Sequence, residues 1–547
     1  MGRVAFEAQL GKKNAWLMNS RLAAQVIDLV VNAGVSEFCI CPGARNSPLI
    51  VHLIERLGSS RLYYFFEERS ATFFAVGRSK ACNKPVAVVT TSGTAAAELL
   101  PAVIEAHYSE APIILITADR PKRFRGTGAP QSIEQVGLFG CYAEMSLDLE
   151  ADEPCSLSGW SGKRPVHLNI CFDEPLLGGD HHSIRPREVV QKIAASQASA
   201  TVVRDFLTSA TSPLIIVGSI EAKDTKAVSD FLLGVGAPVY LESTSQLRES
   251  AALEQIKLYF CDDFLQKSSG GYHVDSVIRI GGVPTHRVWR DIELHEIPVL
   301  SISDKPFSGA SFGKLVVTDI SEFLGKTATT RMIRPEHIGN LIRADRLRLQ
   351  KVLDLLSSEP RSEPALVHQL SDRISRGSLV YLGNSMPVRE WDMFAARDCR
   401  QYEIRASRGA NGIDGQVSAF LGMCSGKGGM CGKNDDNWAI IGDLTALYDL
   451  SGLWALRQLS DIRVQIVVIN NRGAGIFRRM FSFHEFQNNH ELDFSCWAGM
   501  WGLKYEKWFQ IPENVNSSDS RIIEIIPDRE ATSRFWKEYE GLCKNTL

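Results

Sequence analysis

Asp443 and the pair Asn470-Asn471 are the residues whose types and spacing best suit metal chemistry. Asp443 closes the run NWAIIGDL, and Asn470-Asn471 close the next apolar run, VQIVVINN. Between them, TALYDLSGLWALRQL places apolar residues at helical spacing, so strand, helix and strand form a single crossover. Such crossovers are right-handed and bring the second strand back parallel to the first, which puts both turns at one sheet edge, where open α/β sheets bind ligands. A carboxylate, an amide oxygen and a backbone carbonyl there form part of an octahedral cage for a hard divalent cation, with diphosphate oxygens and water completing it. A helix beginning near Leu444 would aim its free N–H groups at the phosphates. Taken singly, Asp443 is an ordinary helix cap and Asn470-Asn471 an ordinary turn. Both together, each after a buried strand, favour the cation.

Other motifs carry less. The glycine-rich patch GKGGMCGKNDDN (426–437) lacks the Gly-x4-Gly-Lys-Ser/Thr spacing of a phosphate loop and precedes a strand, so it is expected to be a surface loop. HEFQNNH, from His484 to His490, lacks the i, i+4 histidine pair of a zinc-protease helix, and no Gly-x-Ser-x-Gly elbow is present. The 12 cysteines are scattered without a CxxC pair and read as reduced thiols in a cytoplasmic protein.

The elements that must position these residues repeat one theme, a short apolar run followed by a polar turn and a helical pattern. SEFCICPG, PVAVVTTSGT and APIILITADRP follow it first, then SPLIIVGS, APVYLEST, DSVIRIGG, IPVLSIS and GKLVVTD, and finally GSLVYLGNS, NWAIIGDL, VQIVVINN and RIIEIIPD. Continuous rather than alternating apolarity predicts strands covered on both faces. The fold class is therefore α/β, with three doubly wound domains built on parallel sheets. Linkers are placed near 177–186 and 327–335, which gives domains at 1–182, 183–334 and 335–547.

Composition excludes several classes. With 547 residues, 44% of them hydrophobic and 22% charged, the chain matches ordinary folded proteins. A net charge of −3 argues against a protein that coats nucleic acid or anionic lipid. No apolar run reaches the roughly 18 residues of a membrane span. The start, MGRVAFEAQLGKKNAW, does not read as a secretory signal.

Gly442-Asp443 followed by Asn470-Asn471 resembles the thiamine diphosphate signature. CPGARNSPL (41–49), FEERSATFFAVG (66–77), TTSGTAAAELLPAVIEAHYS (90–109), ITADRPKRFRGTGAPQSIEQVGLF (116–139), GNSMPVREWD (383–392) and SRGANGIDG (407–415) extend the likeness over nearly the whole chain. Together they resemble the 2-succinyl-5-enolpyruvyl-6-hydroxy-3-cyclohexene-1-carboxylate synthase family of menaquinone biosynthesis.

The resemblance implies thiamine diphosphate-enzyme architecture, with pyrimidine-binding, central structural and diphosphate-binding domains in that order. The implied reaction decarboxylates 2-oxoglutarate and adds the succinyl semialdehyde carbanion to isochorismate. The implied cofactors are thiamine diphosphate and Mg2+, with Mn2+ as the alternative ion. It implies a homodimer or homotetramer with active sites between subunits. Glu68 matches the catalytic glutamate that bonds the pyrimidine N1′, with Glu67 as its neighbouring rival. Asp443, Asn471 and the Gly473 carbonyl match the metal ligands, Gly442 belongs to the cofactor turn, and Ile413 matches the apolar residue under the folded cofactor. Ser385, Arg389 and Arg408 match residues holding the distal carboxylate of the 2-oxoglutarate portion. Arg45, Arg120, Gln131 and Arg287 match the isochorismate set, where planar guanidinium suits carboxylate.

Four residues at three places depart from the family pattern. Ala44 stands where Ser is common, Thr285-His286 where Ser-Lys is common, and Arg472 where Asn is common. A histidine in place of lysine predicts a weaker or pH-dependent contact to isochorismate. The alternatives are an acetohydroxyacid synthase-like thiamine enzyme and an inactive binding protein of the same fold. Turnover of pyruvate alone would favour the first.

Overall fold

The computed structural model describes residues 2–58, 61–127, 129, 131–151, 153–174, 176–177, 201–261, 271–327, 335–398, 400–424, 436–459, 462–473, 475–478 and 488–545. Three six-stranded sheets follow one another along the chain, and every pairing within the three is parallel. The first contains β1 (Phe38–Ile40), β2 (Leu62–Tyr64), β3 (Val86–Thr90), β4 (Ile113–Asp119), β5 (Met145–Glu150) and β6 (Val166–Cys171), in the order β2-β1-β3-β4-β6-β5. The second contains β7 (Pro213–Val217), β8 (Val239–Leu241), β9 (Lys257–Leu258), β10 (Ser276–Ile280), β11 (Val299–Ser303) and β12 (Lys314–Val317), in the order β12-β11-β10-β7-β8-β9. The third contains β13 (Leu379–Leu382), β14 (Glu403–Arg405), β15 (Asp436–Gly442), β16 (Arg463–Ile469), β17 (Lys504–Trp508) and β18 (Arg521–Ile525), in the order β14-β13-β15-β16-β18-β17.

The first and third sheets thus share one strand order. In each, the order reverses beside the first strand, between β1 and β3 and between β13 and β15, the place where doubly wound sheets open a ligand crevice. Every expected strand is present. Six more are found, namely β2, β5, β6, β9, β14 and β17, and all but β6 lie at sheet edges.

The described chain forms two compact units. One comprises Met1–Ile193, Ser407–Lys433 and Thr445–Ile462, and the other Ala194–Ala406, Asn434–Leu444 and Arg463–Leu547. The first unit holds the first sheet, with Val26, Ile27, Phe38, Ile114 and Leu168 in its core. The second unit holds the other two sheets, with cores around Ile215, Ile278 and Leu300 and around Trp438, Ile440, Val467 and Ile523. The expected boundaries at 182/183 and 334/335 and most of the two linkers lie outside the described residues. So does most of the glycine-rich patch, whose last residues, Asp436 and Asn437, begin β15. Among the described residues no helix is long and apolar enough to cross a membrane, and no cysteine whose side chain is described forms a disulfide.

Candidate active site

β15 and β16 pair in register through Gly442 and Ile469, so Asp443 and Asn470-Asn471 leave neighbouring strands at one edge. Asp443 is buried; its carboxylate accepts the Leu444 N–H at 2.7 Å on one oxygen and the Gly473 N–H at 2.9 Å on the other. This corrects the expectation for Leu444, whose N–H is taken by Asp443 rather than left free for phosphate. His490 Nε2 lies 3.3 Å from Asp443 Oδ2. Burial raises the Asp443 pKa, against the N–H groups of Gly473 and Leu444 and the charge of His490.

The two asparagines divide their work. Asn470 is structural: its Nδ2 donates to Glu524 Oε1 at 2.7 Å and to the Leu492 carbonyl at 2.9 Å, and its Oδ1 accepts the Arg472 N–H. Asn471 donates its Nδ2 to both oxygens of buried Glu363 at 3.1 Å, while its Oδ1 is buried and has no hydrogen-bond partner among the described residues. An unmet buried acceptor costs roughly 1–3 kcal/mol. A cation shared with Asp443 would meet it, so the residues present fit a divalent ion. The Gly473 carbonyl accepts the Gly475 N–H and keeps a second lone pair. Arg472 sits at φ 63, a left-handed position that asparagine tolerates better than arginine, and its guanidinium pairs with Glu491.

β13 neighbours β15, which brings Ser385 and Arg389 to the same sheet edge. Ser385 precedes the helix Met386–Phe394 at φ 73, and Arg389 Nη1 donates to the Ser385 carbonyl at 2.5 Å. Arg287 opens the helix Arg287–His295, and its side chain lies outside the described residues. His286 overturns an expectation. It is buried, with Nε2 at 2.7 Å from the Tyr240 hydroxyl and 3.5 Å from Asp392 Oδ2, so its ring is held by protein groups rather than left open to a ligand.

The other expected residues lie in the first unit. Arg45, Glu68 and Arg120 follow β1, β2 and β4 at the carboxyl edge of one sheet. Glu67 is the N-cap of the helix Glu68–Cys82, accepting the N–H groups of Arg69 and Ser70. That separates it from its rival, because Glu68 is left half-buried with its pKa raised, first by burial. Buried Arg45 donates to the Phe172 carbonyl and pairs with Glu174, each at 3.1 Å. The Arg120 guanidinium lies 5.6 Å over the Phe124 ring. Gln131 is exposed at φ 55, its backbone against Gly93.

Loop 407–415 carries Arg408 and half-buried Ile413. Glu105 holds that loop by accepting the N–H groups of Gly409 at 3.0 Å and Ala410 at 2.7 Å. The helix Gln416–Cys424 then crosses Glu68–Cys82 closely, because a Cβ on Gly77 would stand 2.1 Å from the Ala419 carbonyl oxygen.

Residues 20–138 match the family model described as "Thiamine pyrophosphate enzyme, N-terminal TPP binding domain". A 2-succinyl-5-enolpyruvyl-6-hydroxy-3-cyclohexene-1-carboxylate synthase from Bdellovibrio bacteriovorus is 42% identical over 96% of this chain and 100% of its own length. The chain belongs to this synthase family. A second synthase, from Akkermansia muciniphila, is 36% identical over 92% of the chain and 95% of its own length. Among solved structures, benzoylformate decarboxylase from Polynucleobacter necessarius superposes with a TM-score of 0.66 at 17% identity, covering 92% of this chain and 98% of that one, a likeness of fold.

Within this synthase fold, sequence reasoning missed Glu363, His490 and Glu105. Each acts on a partner far away in the chain. Ser362 and Pro364 mark only a helix start around Glu363, and nothing local announces its contact with Asn471.

Proposed function

We propose that the chain decarboxylates 2-oxoglutarate and adds the remaining four-carbon unit to isochorismate, giving 2-succinyl-5-enolpyruvyl-6-hydroxy-3-cyclohexene-1-carboxylate and CO2. The observation that carries this reading is the likeness, over 92–96% of the chain, to synthases of that name. The chain is a thiamine diphosphate-dependent enzyme that forms a carbon–carbon bond. When bound, thiamine diphosphate would supply a carbon nucleophile for the 2-oxo carbonyl and an electron sink for the pair that departing CO2 leaves behind.

The residues of the chain supply placement and charge. Asp443, Asn471 and the Gly473 carbonyl would hold Mg2+, and the unmet Asn471 oxygen supports that role. Glu68 would share a proton with the pyrimidine N1′, and burial already favours its protonated form. Ile413 would support the folded cofactor from below. Ser385, Arg389 and Arg408 would hold the distal carboxylate of 2-oxoglutarate, while Arg45, Arg120, Gln131 and Arg287 would receive isochorismate. In a homo-oligomer, Glu68 of one subunit would serve the Asp443 turn of another. Cysteines such as Cys39, Cys41 and Cys171, which form no disulfide, suit a cytoplasmic enzyme.

The test is consumption of isochorismate with 2-oxoglutarate present, with and without added thiamine diphosphate and Mg2+. Consumption that needs both additions is the expected result. Turnover of pyruvate with 2-oxoglutarate untouched would overturn the reading.

A further inference from the structure

We infer that His286 and Asp392 form a buried strut joining the two substrate subsites, so that both are positioning residues for substrate binding. The inference rests on the proposed assignment of Arg287 to isochorismate and of Ser385 and Arg389 to 2-oxoglutarate. His286 is the N-cap residue of the helix Arg287–His295, immediately before Arg287. Asp392 lies on the helix Met386–Phe394, one turn beyond Arg389.

Their side chains meet out of contact with water. His286 is 6% exposed and Asp392 2%, and the Asp392 Oδ2 lies 3.5 Å from the His286 Nε2. The other Asp392 oxygen accepts the Ser243 N–H at 2.6 Å. The Tyr240 hydroxyl, 2.7 Å from the same imidazole nitrogen, fixes the ring from the middle of β8. Glu242, between these two anchors, accepts the Thr285 N–H and so pins the residue before His286.

The far end of the Met386–Phe394 helix is fixed as well. Buried Arg248 donates to the carbonyls of Trp391, Asp392, Ala395 and Ala396, and Arg397 donates to those of Asp392 and Met393. Guanidinium groups at a helix C-terminus satisfy its open carbonyls and oppose its dipole. Buried Pro387, Val388 and Trp391 pack the rest of the helix. The Asp392–His286 contact ties this packed helix, which carries Arg389 and follows Ser385, to the residue next to Arg287. Shifting either side of the contact therefore moves both subsites.

The experiment compares the holoenzyme with His286→Leu, His286→Gln and Asp392→Asn, reading kcat, both KM values and the melting temperature. Arg389→Ala and Arg287→Ala serve as subsite controls. His286→Leu is expected to raise both KM values about fivefold or more, the scale of ordinary site-to-site coupling, with kcat changed less than about twofold. His286→Gln, which keeps a nitrogen donor for Asp392, restores both. Should His286→Leu fail to fold, Asp392→Asn is read in its place. A folded variant with a lowered melting temperature but unchanged KM values, or with only one KM moved, overturns the strut. In that case, controls that each raise the KM of their own substrate leave the subsite assignment standing. Controls that leave KM unchanged overturn the assignment, and the strut with it.

Discussion

At the scale of single residues, what marks Asn471 is the contrast between its two side-chain atoms. Its nitrogen is held twice by Glu363, and its oxygen is buried without a partner among the described residues. Glu363 therefore decides which way the amide faces. Removing an outer partner of a metal ligand commonly costs 10–100-fold in affinity. Glu363→Ala should weaken Mg2+-dependent binding of thiamine diphosphate by about tenfold or more, read as quenching of tryptophan fluorescence. Unchanged affinity would mean that Glu363 only fills space. Glu68→Gln should keep cofactor affinity yet lower kcat by about 10²–10⁴, the usual worth of a positioned proton donor or acceptor. Loss of cofactor binding in that variant would give Glu68 a structural role instead. Asp443 and the Asn pair are legible in the sequence because each ends an apolar strand. Glu363 is not legible, since its partner lies 108 residues away. His286 misled for the same reason, because its buried surroundings come from Tyr240 and Asp392.

At the scale of elements, apolar runs disclosed the strands covered on both faces. β5 and β17 sit at sheet edges with half-exposed residues, which leaves little apolar signal. β6 was hidden differently. It is buried throughout, but His167 and Asn169 interrupt its apolar pattern. The interior accepts them because Thr117 bonds His167 at 2.7 Å and Gln135 bonds Asn169 at 2.8 Å. Burial in turn lowers the His167 pKa to about 4, so its ring stays neutral.

A similar buried group joins the helix Glu68–Cys82 to its neighbours. Asp449 accepts the Ser418 N–H, the Ser418 hydroxyl and the Ser70 hydroxyl, and burial pushes its pKa up to about 6. Because the folded value exceeds the ordinary one, the folded chain binds more protons between about pH 4 and pH 6. Stability contributed by this group is thus fullest at low pH, falls by up to about 3 kcal/mol over that window, and is level above it. Asp449→Asn should flatten the fall in melting temperature between these pH values and raise the melting temperature at pH 7. An equally steep slope in the variant would assign the titration to another group.

At the scale of the whole molecule, the repeated strand order of the first and third sheets gives two similar edges, each carrying different chemistry. The first has a half-buried acid at Glu68, and the third has the Asp443–Asn471 turn. The proposed oligomer draws one edge from each of two subunits, which separates two kinds of inactive variant. A Glu68→Gln chain still offers an intact Asp443 turn, and an Asp443→Ala chain still offers an intact Glu68. Co-expressed, the two should form mixed dimers in which one site combines both intact halves while the other site has neither. Random pairing makes half of all dimers mixed, so activity should return to about one quarter of the parent value, given the two-fold symmetry usual for such dimers. Refolding the two inactive proteins together, against each refolded alone, measures the recovery directly. If the mixture stays as inactive as its components, Glu68 and Asp443 must act from the same chain, and shared sites between subunits are ruled out.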